Sequence, residues 1–492
     1  MDLQYNKLSL SLPHIFWTIL DFLRPEILNR RKTGSDRRGS STSWLDGLRG
    51  VAALTVCFMH LSVYVHPGME LCYNADLGFN KRNSHFVTLP FIRIPFTGGH
   101  YAVGLFFIVS GYVVPRRLIK LLHEGKRPEF IDAVNSAIFR RPGRLFLPVI
   151  WSTGILMASW HIFGIEMPWG SQQTNIVWET FNWFRDMMYF MFFFREKLLF
   201  SWYNFHSWTI PVELRGSMFI FVWLFTMHQV ANRGRILLTI GMTYYLEVLS
   251  PGAWYACFFA GMLLGEMDML AEEGDPVDLP WKGITRWFRK NPKATQTAAH
   301  ALLICGMFLG GQPSADWQKP EEILGTCPGW VTLSKMIPKA YTEITDMPTY
   351  RWFYIFWAAF FTVVAINNIP WCKWIFETGP AQYLGRHSYA LYLVHGPLIG
   401  ILSERLFYLT GVKSPTDLAS FVRFGRLHNK WHDLSWWPLP DGGPGGLEPN
   451  FLFCVAISIP IFLYTAEIGT KTFDTPSVKV SSWMYKKVRS LS

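Results

Sequence analysis

Residues 44–60 read Trp44-Leu-Asp46-Gly-Leu-Arg49-Gly-Val-Ala-Ala-Leu-Thr-Val-Cys57-Phe-Met-His60, and this stretch decides the fold. Apart from Asp46, Arg49 and His60 it is apolar or small, and the apolar run continues to residue 66. A helix rises about 1.5 Å per residue, so roughly 20 mainly apolar residues cross the ~30 Å hydrocarbon core of a bilayer. Further segments of this kind lie near 100–120, 144–164, 208–228, 235–250, 252–270, 297–312, 351–369, 386–409 and 450–470, although 235–250 and 297–312 are short. The expected fold class is therefore all-α, a polytopic membrane helical bundle of about ten transmembrane helices. It occupies residues 44–470, with a cytosolic N-terminal segment (1–43) before it and a short cytosolic tail (471–492) after it. Residues 14–23 are too short to span and read as an interfacial helix, as does the aromatic stretch 178–194, which carries Arg185 and Asp186.

The composition of the 492 residues agrees. Half are hydrophobic, 17% are aromatic and only 16% are charged, against about 25% charged in soluble domains. Disorder is excluded. The net charge of +11 would suit a nucleic-acid partner only if it formed one basic face. With ten spans and the N-terminus inside, 29 Lys and Arg fall in cytosolic segments and 13 in the longer outer loops. The surplus is thus mainly an orientation signal that places both termini in the cytosol. It identifies the lipid bilayer as a partner and argues against nucleic acid. The seven cysteines are scattered without a CxxC pair, which predicts neither a zinc site nor a disulfide framework.

Ionisable residues within spans are costly and mark function unless they are paired. Arg49 lies at the cytosolic mouth of the first span, and His60, eleven residues on, is roughly 16 Å deeper on the same face. That face suits a substrate with an anionic head and a reactive far end. A snorkelling arginine plus a histidine satisfied by a neighbouring helix is the structural alternative. Other polar groups reach similar depths. Trp208-Thr-Ile-Pro-Val-Glu213 opens the fourth span, and Gly385-Arg-His-Ser-Tyr389-Ala-Leu-Tyr-Leu-Val-His395 forms the ninth. Ser110 lies inside the second span, which ends at Arg116-Arg117, and Arg140-Arg-Pro-Gly-Arg144 is read as a loop-to-span junction. Glu213 can orient an imidazole, or simply pair with Arg215 or a neighbouring span. Ser110 can equally be a packing residue beside Gly111. His428-Asn-Lys-Trp-His432-Asp433 fits a His-x4-Asp pattern that chance readily supplies, and it lies in an outer loop. No Walker loop, Gly-x-Ser-x-Gly elbow, GxGxxG or HExxH motif is present.

Taken together, Arg49 with His60, Gly104-Leu-Phe-Phe-Ile-Val-Ser-Gly-Tyr112, the arginine-rich 140–144, Trp208 to Glu213 and Gly385 to His395 resemble the acyltransferase 3 family of integral-membrane acyltransferases over residues 44–470. After Glu213 the chain continues Leu-Arg-Gly-Ser rather than with the aromatics usual in bacterial members, as fungal members do. The resemblance implies transfer of an acyl group, commonly acetyl from acetyl-CoA, to a hydroxyl of a small metabolite or a glycan. It implies acyl-CoA as cosubstrate, with no bound cofactor and no metal. It makes Arg49 and His60 the functionally essential pair. Arg49 with Arg116, Arg117, Arg140, Arg141 or Arg144 would hold the phosphates of coenzyme A, and His60 would be the general base. Glu213 would orient it, while Ser110, Tyr389 and His395 are candidates for acceptor or oxyanion contacts. A transporter using the same polar tunnel without chemistry is the competing class.

Overall fold

The computed structural model describes residues 12–28, 41–75, 83–164, 172–195, 198–274, 277–313, 324–343, 349–412 and 436–491. The His428–Asp433 pattern lies outside them. The described residues are mainly helical, and their single β feature is an isolated bridge between Ser201 and Asn204.

In chain order the main helices are α1 (Leu12–Leu23), α2 (Ser43–Val65), α3 (Gly99–Val113), α4 (Arg116–His123), α5 (Arg127–Phe163), α6 (Ile176–Met191), α7 (Thr209–Thr226) and α8 (Asn232–Tyr244). They continue with α9 (Ala253–Glu272), α10 (Pro292–Gly310), α11 (Arg351–Asn368), α12 (Pro370–Glu377), α13 (Gly379–Leu398), α14 (Pro449–Gly469) and α15 (Thr475–Arg489). Every apolar segment expected from the sequence is helical. The expected count of about ten spans is not confirmed: among the described residues five helical stretches are long and apolar enough to cross a membrane, and a sixth qualifies if α11 and α12, bent by 96°, count as one. The others fall short because α8 has only 13 residues and because α9 and α13 carry polar residues on faces that pack inside the bundle. Hydropathy measures fitness for lipid, and a helix surrounded by protein does not need it.

Packing centres on α2, which contacts α13 more extensively than any other pair of elements touches, and which also packs on α3. The contact depends on glycine. A Cβ at Gly47 would collide with the Phe376 backbone, one at Gly50 with Leu384 and Gly385, and one at Gly385 with the carbonyl of Asp46. Close backbone approach through small residues is how membrane helices gain contact where no hydrophobic force drives them together. Here it fixes the depth of α13 against α2. On the outer surface, large apolar side chains such as Trp151, Ile155, Trp178, Phe181 and Val222 are more than half exposed, the pattern of a lipid-facing wall. The α6 helix begins with Asn175, whose side chain accepts from the backbone N–H of Val177 and Trp178, an N-cap that satisfies two otherwise orphan donors.

Three sequence expectations change. The arginines of 140–144 are not at a loop junction, because α5 runs unbroken through them for 37 residues, prolines included. The C-terminal segment is not a free tail: Thr470–Asp474 continues α14 as a π-helical turn, and α15 packs along α5. A disulfide also exists, joining Cys72 to Cys327 with a Cα–Cα distance of 5.9 Å. Cysteines 255 residues apart give no spacing signal, so only tertiary proximity reveals the pair. The N-terminal segment is anchored as well, through Glu26, which pairs with Arg386 and lies 3.0 Å from His387 Nε2. Burial raises the pKa of the Glu26 carboxyl, but the bonds and charges of His387 and Arg386 outweigh it and hold the group below the ordinary carboxylate range.

Candidate active site

A cavity of about 420 Å³ opens between α2, α3, α5, α7, α13 and α15. Five arginines line it: Arg49, Arg140, Arg141, Arg144 and Arg386. They converge because α5 presents three of them within five residues, while the glycine contact sets Arg49 of α2 beside α13. Arg49 donates to Asp46 Oδ1 (3.4 Å) and to Ser388 Oγ (3.3 Å). Arg141 is buried, donates to Ser217 Oγ (2.9 Å) and pairs with Glu213. Arg144 is exposed to the cavity and makes no hydrogen bond to a described residue. Asp474, Ser481 and Ser482 of the C-terminal region complete the wall. Five guanidinium groups against two carboxylates leave the lining with an excess of positive charge, and planar guanidinium forks suit phosphate oxygens.

Thr209 and Tyr392 line the same cavity. Thr209 Oγ1 donates to the Tyr392 hydroxyl at 2.7 Å, and Tyr392 in turn donates to the carbonyl of His206. Immediately beyond lie three imidazoles, from α2 (His60), the turn before α7 (His206) and α13 (His395). The His60 ring is 4.0 Å from His206, edge to face, and 5.3 Å from His395, nearly parallel. The Tyr392 ring is 5.7 Å from His395. Ligand nitrogens of the three histidines all lie within 4.8 Å of one another, a donor set of the kind transition metals accept. His60 is half-buried and hydrogen-bonds to no described residue, whereas His395 is fully buried. An imidazole held by ring contacts but left without a hydrogen bond is placed to meet the hydroxyl of a ligand.

Of the residues expected from the sequence, Arg49, Ser110, Arg141, Arg144, Glu213 and Tyr389 all line the cavity, with His60 and His395 in the imidazole cluster beyond it. Arg116 and Arg117 do not line it. The helix breaks after Val113, and amphipathic α4 carries them along the surface, where Arg116 reaches Glu272 (3.3 Å) and Tyr112 and Arg117 is exposed. The Glu213 carboxylate accepts from Arg141 and from Ser110 Oγ (2.6 Å) and makes no hydrogen bond to His60. Nor is it paired with Arg215, which donates to the carbonyls of Phe193 and Arg195, each at 2.6 Å. The Tyr389 hydroxyl is likewise occupied, donating to the Leu145 carbonyl at 2.6 Å. Sequence reasoning missed His206, Arg386 and Asp474. His206 stands two residues before Trp208, just outside the motif quoted above, and Arg386 lies within one, so both had a local signal. Asp474 had none.

The chain matches the acyltransferase domain model over residues 42–463. It is 26% identical to "O-acetyltransferase PaAT-1" of Phomopsis amygdali over 486 residues, covering 91% of this chain and 85% of that protein. It is 24% identical to "Acyltransferase R4" of a Phoma species (79% and 90% covered) and 23% identical to "Acyltransferase clz18" of Cochliobolus lunatus (74% and 84% covered). No solved structure matches. With the family model spanning most of the chain, the protein belongs to the acyltransferase 3 family and is a transferase enzyme.

Proposed function

We propose that the protein is a membrane-embedded O-acyltransferase that moves an acyl group, acetyl in the first instance, from acyl-CoA to a hydroxyl of a small metabolite. The observation that carries this reading is that guanidinium groups line one cavity and that Tyr392, which lines it too, bonds the His206 carbonyl and lies against the His395 ring of the imidazole cluster. Coenzyme A carries phosphates at one end of a long arm and the thioester at the other, and so calls for both kinds of group. Arg49, Arg140, Arg141, Arg144 and Arg386 hold the phosphates, with Glu213 setting the position of Arg141. The thioester reaches His60 past Tyr392. His60 then takes the proton of the acceptor hydroxyl as its oxygen attacks the thioester carbonyl. The name O-acetyltransferase, carried by one relative, supports acetyl as the group transferred. The disulfide between the loops at Cys72 and Cys327 supports placing those loops on the non-cytosolic side, since disulfides persist in oxidising compartments. Both termini are then cytosolic.

The test supplies radiolabelled acetyl-CoA and a panel of hydroxylated metabolites and glycans to membranes containing the protein. Label transfer to a metabolite in wild type, abolished by His60→Ala, is the expected result. Transfer to glycans alone overturns the acceptor class, and undiminished transfer by His60→Ala overturns the mechanism.

A further inference from the structure

A catalytic imidazole needs a partner that decides which ring nitrogen carries the proton and that stabilises the ring once it is charged. A carboxylate usually does this. Here the titratable groups facing His60 are His395 from α13, His206 from the turn before α7 and His100 from α3. No described carboxylate joins the cluster, and Glu213 is engaged by Arg141 and Ser110.

His395 has what the position requires. It is completely buried. Its Nδ1 lies 3.2 Å from the carbonyl of Leu391, one turn earlier on α13. A carbonyl only accepts, so Nδ1 carries the proton and Nε2 presents a lone pair. That Nε2 is buried without a hydrogen-bond partner, an arrangement with a free-energy cost unless something in the working enzyme fills it. The His395 and His60 rings are within 24° of parallel with centroids 5.3 Å apart. The two rings stack and do not bond one another, so a turn of His60 about χ2 is what would bring its N–H to His395 Nε2. The χ2 torsion of His60 is broad and soft, and bonds of this kind are often long before substrate arrives. His206 stands across the face of His60 at 4.0 Å and limits how far that ring can turn.

We propose that His395 is the positioning residue of this acyltransferase. Its Nε2 accepts the N–H of His60, so that the other nitrogen of His60 presents its lone pair to the acceptor hydroxyl. This rests on the reading of His60 as the base. In the transfer step the hydroxyl proton passes to that lone pair as the oxygen bonds to the thioester carbonyl carbon. The carbon–sulfur bond then breaks, and the coenzyme A thiolate takes the proton back from His60. His395 keeps its own proton on Nδ1, facing the Leu391 carbonyl, throughout, and its Nε2 lone pair steadies the His60 imidazolium while it exists.

The experiment uses the full-length protein in membranes, with acetyl-CoA as donor and the best acceptor found in the labelled panel. His395→Leu removes the lone pair, whereas His395→Gln offers a carbonyl oxygen in its place. His395→Leu should lower kcat by about 100-fold, as loss of a partner that orients an imidazole does, with the KM for acetyl-CoA within about twofold. Losing an acceptor that favours the charged ring lowers the pKa of His60, so the acid limb of the kcat–pH profile should move to lower pH in His395→Leu. In His395→Gln kcat should return to within about tenfold of wild type and the acid limb to its original place. Packing alone would lower the amount of folded protein without moving that limb. Should His395→Leu not accumulate, His395→Ala supplies the same comparison. An unchanged kcat, or an acid limb that moves in neither acceptor-free variant, overturns the proposal. So does activity that EDTA abolishes and zinc restores, since His395 would then be a metal ligand. His60→Ala separates the two levels: if it is active the base reading fails, and if it is inactive while His395→Leu behaves as wild type only the positioning role fails.

Discussion

The two ends of the site differ in kind. One is crowded with charge: five arginines together with Glu213 and Asp474 around a cavity. The other has three imidazoles and no described carboxylate. Guanidinium groups stay protonated under all working conditions and are suited to holding an anion, whereas imidazole changes charge near neutrality and is suited to moving a proton. The carboxylates sit with the arginines because a buried cation needs a counter-charge. If the arginines bind and the imidazoles do the chemistry, as proposed above, substitutions at the two ends should fail in different ways.

His60→Ala should give the largest effect, a loss of acyl transfer on the order of 1,000-fold or more with donor binding unchanged, read by turnover and by equilibrium binding of labelled acetyl-CoA. Comparable loss of donor binding would erase the division between the two ends. Arg49→Ala and Arg144→Ala should raise the KM for acetyl-CoA by about tenfold each while kcat holds, consistent with the loss of one charge-assisted contact to phosphate. Steady-state kinetics at two salt concentrations check this, and a fall in kcat alone would move these arginines to the chemical end. Glu213→Gln discriminates most sharply. If the carboxylate serves Arg141, the substitution raises the donor KM by about threefold to tenfold and leaves the acid limb of the pH profile in place. A displaced limb would return Glu213 to the service of His60. Arg117→Ala should be the weakest, within about twofold of wild type in every constant, because an exposed cation outside the cavity is screened by solvent.

Much of this was legible in the chain. The helices followed from segment length and apolar content, and Arg49 and His60 followed from their spacing on one helix face. Both are local properties, fixed within one or a few helical turns. The count of spans was less secure, because α13 carries Arg386, His387, Ser388 and His395 and hydropathy does not register that protein surrounds them. The partners of Glu213 were beyond reach: Ser110 and Arg141 stand 103 and 72 residues away, and several basic groups were equally eligible by sequence.

By itself, then, the sequence determined an all-helical membrane protein with a cation near the start of α2 and an imidazole eleven residues along it, because apolar length and helical periodicity act over short distances. Only the tertiary structure decided which cations share the cavity and which run along the surface, that the C-terminal residues close its wall, and that three histidines meet. Those outcomes depend on how helices approach one another. That approach is set here by glycine contacts, Gly50 against Gly385 above all, between residues more than three hundred positions apart in the chain.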